Sequence, residues 1–279
     1  EESETTMGLR FNGVVTRVFK QTGRQAVILI DEYDKPLTDT IGQPELQEKI
    51  RSILQGLYGI MKKADRYIRF AFLTGVTRYG KLGIFSAANN PQDISMSDDY
   101  ASICGITEEE LRRYFDAEVE VFAKKQHVDK YAMYEMLKQK YDGYHFSSNS
   151  EDIYNPFSLL NSLKTRSLSN YWFATGTPTY LVKILSKSNV DIPEFEGDLL
   201  ANGEMLAAFG NGESNLIAAL YQSGYLTIKG SSKSFYELGF PNEEVYEGLT
   251  QVLIPNYVES QTSDRKDLDL IKIHQFIEY

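Results

Sequence analysis

The chain has 279 residues, 42% of them hydrophobic, with a formal net charge of -10. That is enough apolar material for one large domain or two to three small ones. The acidity argues against a generic electrostatic grip on nucleic acid, which needs clustered Lys and Arg to displace counterions from phosphates.

The single cysteine, Cys104, excludes an intrachain disulfide and a thiolate metal cluster. No run approaches the length of a membrane span, and the N-terminal segment lacks a charged-then-apolar leader pattern. A cytoplasmic protein with no membrane partner is the expectation. The chain opens on Glu1 and closes at Tyr279 inside an apolar-patterned segment, Leu268 to Ile277, so both ends read as cuts in a longer protein.

In chain order, the first strong signal is Ala26-Val-Ile-Leu-Ile30, a continuous apolar run of the kind that is buried on both faces of a parallel sheet. It ends in the acidic turn Asp31-Glu32-Tyr33-Asp34. After Pro44, the residues Leu46, Ile50, Ile53, Leu54, Leu57, Ile60 and Met61 recur at helical spacing and predict a helix of about five turns. A second apolar run, Tyr67 to Leu73, follows. Strand, helix, strand predicts a right-handed parallel βαβ unit. In such a unit Asp31 and the Thr74, Thr77 and Arg78 that follow the second strand reach the same sheet edge, where open α/β sheets bind ligands.

From about residue 107 the pattern becomes helical. Thr107 and Glu110 form a capping box, and Leu111, Phe115, Val119 and Phe122 mark a buried stripe. Asp142-Gly143 ends a helix, and Asn155-Pro156 and Thr177-Pro178 start others. Farther on, 215–222 reads as a helix, 225–229 and 234–238 as a hairpin around Gly230-Ser231-Ser232, and 245–258 as a closing helix, together a winged-helix-like unit. The polar stretch 260–266 reads as a linker.

The chemistry concentrates after the first strand. Four apolar residues ending in Asp-Glu match a Walker B strand, because Mg2+ needs a carboxylate at the strand end and hydrolysis needs a second one to orient water. Asp31 suits the metal and Glu32 the catalytic role; an ordinary acidic strand-terminating turn is the competing reading. Asp34 and Lys35 either reach a partner behind the site or pair in solvent, with Lys35 read as solvated. Arg78 suits the γ-phosphate of a bound nucleotide, or is a surface loop residue. Thr74 or Thr77 suits a bond to the attacking water. The stretches 89–93 and 95–100 are polar loops to which no site is assigned.

No G-x-x-x-x-G-K-S/T occurs, and Gly80-Lys81, preceded by one glycine and followed by Leu82, cannot cradle phosphates in the usual way. His127, His145 and His274 lie too far apart in sequence for a zinc motif. The aromatic groups at Tyr141, Tyr144 and Phe146 and at Tyr171, Trp172 and Phe173 read as packing between helices.

Several segments together resemble the bacterial AAA-ATPase-like family: Val27-Ile-Leu-Ile-Asp-Glu-Tyr-Asp-Lys-Pro36, Leu73-Thr-Gly-Val-Thr-Arg78, Ile84-Phe-Ser86 with Asn89-Asn90, Tyr141-Asp-Gly-Tyr144 and Tyr154-Asn-Pro156. The likeness continues through Tyr171-Trp172, Thr175-Gly-Thr-Pro178, Gly224-Tyr-Leu-Thr227 and Leu238-Gly-Phe-Pro-Asn-Glu-Glu244. It implies a STAND-type signalling ATPase with an α/β fold: a partial P-loop NTPase parallel sheet (1–105), a helical lid subdomain (106–195), a winged-helix-like domain (196–259), and a linker leading into a further domain (260–279), in many members a PD-(D/E)XK nuclease-like domain.

The resemblance also implies ATP and Mg2+ as cofactors, with Asp31 on the metal, Glu32 catalytic, and Arg78 near the sensor strand. The phosphate-binding loop is then expected upstream of Glu1, and hydrolysis by this chain alone is not expected. The functional expectation is a nucleotide-dependent switch for an attached protein effector. One rival is a protein-interaction scaffold with a degenerate nucleotide site. Another is a DNA reader, opposed by the absence of Arg and Lys from 215–222.

Overall fold

The computed structural model describes residues 6–78, 91–147, 149–174, 181, 199–207 and 216–257. Leu268 to Ile277, Gly80-Lys81, Ile84 to Asn90, Thr175 to Pro178 and His274 lie outside them. The chain forms two compact units: residues 1–93 with 204–223, and residues 94–203 with 224–279.

The first unit opens with α1 (Met7–Thr22), capped by the Thr6 hydroxyl on Leu9 N–H and closed by Gly23 at φ 68°. Then come β1 (Ala26–Ile30), the short α2 (Lys35–Thr38), α3 (Pro44–Lys63) and β2 (Ile68–Leu73). The expected strand, helix, strand order holds. β1 and β2 pair in parallel, Val27 opposite Phe70 and Ile30 opposite Leu73, so both strands end at one edge. α1 packs closely on α3 because Gly8 carries no Cβ; one placed there would come within 2.8 Å of the Gly56 carbonyl oxygen.

Burial of β1 on both faces is corrected by the structure. Ile28 is buried, but Val27 is 57%, Leu29 71% and Phe70 55% exposed. A continuous apolar run encodes two apolar faces, whereas among the described residues the paired sheet has two strands, and its Val27, Leu29 and Phe70 face is open.

The second unit contains α4 (Glu108–Tyr114), α5 (Asp116–Gln126), α6 (Lys130–Tyr141), α7 (Pro156–Thr165), α8 (Tyr171–Ala174) and β3 (Leu199–Asn202). The Thr107 and Glu110 capping box forms with both of its bonds. The Leu111 to Phe122 stripe is divided between two helices, since the chain leaves helical geometry at Phe115. Leu111, Val119, Phe122, Met133, Leu137 and Leu159 share one core with Tyr141 and Tyr154. Asn155 caps α7 through Phe157 N–H and Ser158 N–H.

The chain then returns to the first unit through α9 (Gly203–Leu206) and α10 (Leu216–Gln222). It re-joins the second unit with β4 (Thr227–Ser232), β5 (Phe235–Gly239) and α11 (Glu243–Tyr257). The antiparallel sheet has the order β3-β5-β4, one strand more than the expected hairpin. The turn sits at Lys233-Ser234, with Lys233 at φ 56°, rather than at Gly230-Ser231-Ser232. Gly230 instead marks an irregularity in the ladder, the usual use of a glycine inside a strand.

The aromatic groups pack as expected: Trp172 and Phe173 meet Tyr225 at ring separations of 5.0 and 5.6 Å. A polar seam ties α6, residues 170–172 and α11 together. Lys140 pairs with Glu247 at 2.6 Å, Asn170 donates to the same carboxylate, and Trp172 N–H donates to Glu244.

At the end of α6, Gly143 adopts φ 93° and has no room for a side chain beside the Pro241 carbonyl. Its neighbour Asp142 is buried with Oδ1 unpaired, and Asn242 donates to its backbone oxygen. Burial first, and then the nearby Asp152 and Glu108 charges, push the Asp142 carboxyl up to about 6, against the Gly143 amide and Lys138. An unfolded Asp ionises near about 4, so this group favours folding most below pH ~4 and that contribution is lost as pH rises through 6. Asp142→Asn is expected to remove this limb: wild type should lose roughly 2 kcal/mol relative to the variant between pH ~4 and pH ~7, read from urea denaturation at several pH values.

Candidate functional site

Parallel strands finish at the same edge, so the segments leaving β1 and β2 can bond one another. They do so repeatedly. Thr74 N–H continues the ladder to the Ile30 carbonyl at 2.8 Å, and Tyr33 N–H returns to the Thr74 carbonyl at 3.0 Å. The Thr74 hydroxyl donates to Asp31 Oδ1 at 2.6 Å, and Glu32 N–H donates to the same oxygen at 2.9 Å. The exposed Asp31 therefore has one oxygen committed to the loop, while Oδ2 takes no hydrogen bond among the described residues.

Glu32 follows at φ 51°, a left-handed conformation uncommon for a residue with a side chain. It costs about 1–2 kcal/mol, and its carboxylate stands exposed beside Asp31. The compensation comes from Asp34, which is 1% exposed. Its Oδ1 accepts from Val76 N–H at 3.2 Å, and its Oδ2 from Thr77 N–H at 2.7 Å and the Thr77 hydroxyl at 2.5 Å. Tyr33 adds a phenol bond to the Thr77 carbonyl at 2.9 Å. The buried phenol of Tyr58, on α3, has its pKa raised first by desolvation and then by the Asp34 charge.

Thr74 and Thr77 thus differ. Thr74 presents its hydroxyl on Asp31 at the edge, while Thr77 is buried and gives its hydroxyl to Asp34. Arg78 is partly exposed; its guanidinium pairs with Asp93 and its N–H donates to Gln222 Oε1 at 2.7 Å. Lys35 pairs with Asp39 at 3.5 Å in solvent, in line with its solvated reading.

The sequence leaves Asp34 between two readings, and its burial decides for a partner behind the edge. Asp93 and Gln222 carry no local signal, being 15 and 144 residues from Arg78. Elsewhere, His145 pairs with Asp152 at 3.0 Å, and among the described residues no three His, Cys, Asp or Glu side chains form a metal-binding group.

Residues 1–85 match the AAA-ATPase-like family model, described as "Predicted AAA-ATPase". A curated relative, an uncharacterized protein in the vnfD 5' region of Azotobacter chroococcum mcd 1, is 34% identical over 258 residues, covering 91% of this chain and 48% of the relative. The chain therefore spans about half the length of that protein. No solved structure matches it. Among the described residues no helix is long and apolar enough to cross a membrane.

Two substitutions separate the carboxylates. Asp34→Ala leaves three donors without their acceptor in a buried site and is expected to cost on the order of 3 kcal/mol, whereas Asp31→Asn at the exposed edge should cost under about 1 kcal/mol. Gly75→Ala, whose new Cβ would overlap Asp34 Oδ1 and the Tyr33 ring, should resemble Asp34→Ala. Denaturant midpoints of the three variants provide the comparison.

Proposed function

We propose that the edge formed by Asp31, Glu32, Thr74 and Arg78 is the Walker B and sensor side of an ATP site, and that Mg-ATP binding there switches an attached effector. The observation that carries this reading is Asp31. It stands at the C-terminal end of a parallel strand, is exposed, and is fixed through one oxygen by Thr74, the residue that follows the neighbouring strand.

The donors suit the cation. Asp31, Glu32 and Thr74 present hard oxygens, and a site with few protein carboxylates matches Mg2+, which keeps waters and binds substrate phosphates rather than a protein cage. When bound, Mg2+ would neutralise developing charge on the phosphates. The chain's own residues supply the rest. Thr74 and Glu32 N–H hold the Asp31 carboxylate in one orientation. Glu32, held outward by its left-handed backbone, orients water. Arg78 is engaged by Asp93, so a phosphate must compete with that carboxylate for the guanidinium. Thr77 contributes indirectly, by anchoring the loop on Asp34.

A phosphate-binding loop is required, and none is written in the 279 residues; in this reading it belongs to the parent polypeptide outside them. The STAND-type arrangement, with residues 106–195 as a lid, 196–259 as a winged-helix-like domain and a nuclease-like domain as effector, is part of the same proposal. It is supported by the family match over residues 1–85 and by the greater length of the relative. The pairing of the Arg78 guanidinium with Asp93 favours the second reading, an interaction scaffold with a degenerate nucleotide site.

Calorimetric titration of Mg-ATP into residues 1–279 and into the parent polypeptide tests these readings. The expected outcome is binding by the parent, weakened at least about tenfold by Asp31→Asn, with Glu32→Gln retaining binding and losing hydrolysis. Absence of binding by the parent, or binding unchanged in both variants, would overturn the Walker B reading and favour the scaffold instead.

A further inference from the structure

Arg78 is the residue at which the strand-end loop meets the places where the chain changes units. The backbone passes between units after Asp93, after Gly203 and after Ser223. The Arg78 guanidinium pairs with Asp93, the last residue before the first passage. Its N–H donates to Gln222, one residue before the last passage residue. Gln222 Nε2 in turn donates to the Leu206 carbonyl at 2.6 Å, two residues beyond the start of the returning segment at Glu204. One side-chain amide therefore joins the loop to both ends of segment 204–223.

The loop side of this connection is continuous. Asp31 bonds Thr74, Tyr33 bonds Thr74 and Thr77, and Asp34 grips Val76 and Thr77, immediately before Arg78. A displacement of Thr74 or Arg78 must then stretch the bond to Gln222 or move Gln222 with it. Helix α10 is seven residues long and ends at Gln222. Ser223 bonds back to Ala219, and Gly224 follows at φ 79°. The helix thus closes with a left-handed glycine at C′, so its last turn, which carries Gln222, is held by its own cap.

We propose that Gln222 is a positioning residue that carries the state of the Asp31–Arg78 edge to segment 204–223, through which the chain joins the second unit at both ends. The inference rests on the nucleotide reading for the identity of the signal, but the mechanical link is independent of it. Gln222 uses both ends of its amide: Oε1 accepts from the loop and Nε2 donates to Leu206. No aliphatic or acidic replacement supplies both.

Hydrogen exchange on the 279-residue chain tests the link without nucleotide. Asp34→Asn, which weakens the grip on Val76 and Thr77, is expected to speed amide exchange about fivefold in both 74–78 and 216–223, what one net hydrogen bond is worth. In the Gln222→Met background the same change should appear in 74–78 alone. Thr74→Val, which removes only the bond to Asp31, serves as the perturbation should Asp34→Asn fail to fold. Gln222→Glu retains the acceptor for Arg78 and should restore part of the transfer, which a merely space-filling role would not predict. Transfer to 216–223 that persists in Gln222→Met, or no transfer in wild type, overturns the proposal. Adding Mg-ATP to the parent polypeptide then reads the nucleotide separately: no binding there defeats the ATP assignment, while the exchange result still decides the link.

Discussion

The buried carboxylate of Asp34 is the interaction on which the candidate site depends. Placing a charge at 1% exposure is costly unless its oxygens find donors. Asp34 finds three, two from the backbone and one from the Thr77 hydroxyl, all contributed by the segment that leaves β2. Hydrogen bonds to a charged acceptor are worth about 1.5–3 kcal/mol each, more than the left-handed backbone of Glu32 costs. The clamp thus holds the turn after β1 in a conformation that its own residues do not favour. Gly75 is the concession that makes it possible, because a side chain there would occupy the space of Asp34 and Tyr33.

Asp31 and Asp34 show how one acidic turn divides its work. Both bond the loop after β2, but Asp31 is exposed and bonds it through one oxygen, while Asp34 is enclosed and spends both oxygens on the protein. The threonines divide in the same way: Thr74 serves the outer carboxylate and Thr77 the inner one. An inner pair that fixes the turn leaves the outer pair already oriented by its own hydrogen bonds, the kind of pre-organisation that an electrostatic site uses.

Local features were legible in the sequence where short-range chemistry decides them. The Thr107 capping box, the Asn155-Pro156 helix start and the β1, α3, β2 order all follow from neighbouring residues, and each appears in the structure. What was not legible depends on distant partners. The Asp-Glu-Tyr-Asp turn marks four positions without saying which carboxylate turns inward, because that choice is made by donors 42 and 43 residues away. Gln222 is an ordinary polar residue at a helix end until Arg78 is placed against it. The break at Phe115 and the turn at Lys233 also escape a periodicity reading: apolar spacing continues across the break, and a lysine at positive φ carries no glycine-like signal.

The open Val27, Leu29 and Phe70 face marks the limit of the same logic. Parallel sheets are characteristically covered on both faces, and the residues of β1 are apolar on both sides as that arrangement demands. The bonds of Asp31, Tyr33 and Asp34 described above, by contrast, need no further strand: they run to Thr74, Val76 and Thr77. The edge chemistry and the sheet burial are therefore separable demands on the same two strands. The edge is already organised by its own hydrogen bonds, so anything that later covers the apolar face can stabilise the sheet without having to build the site.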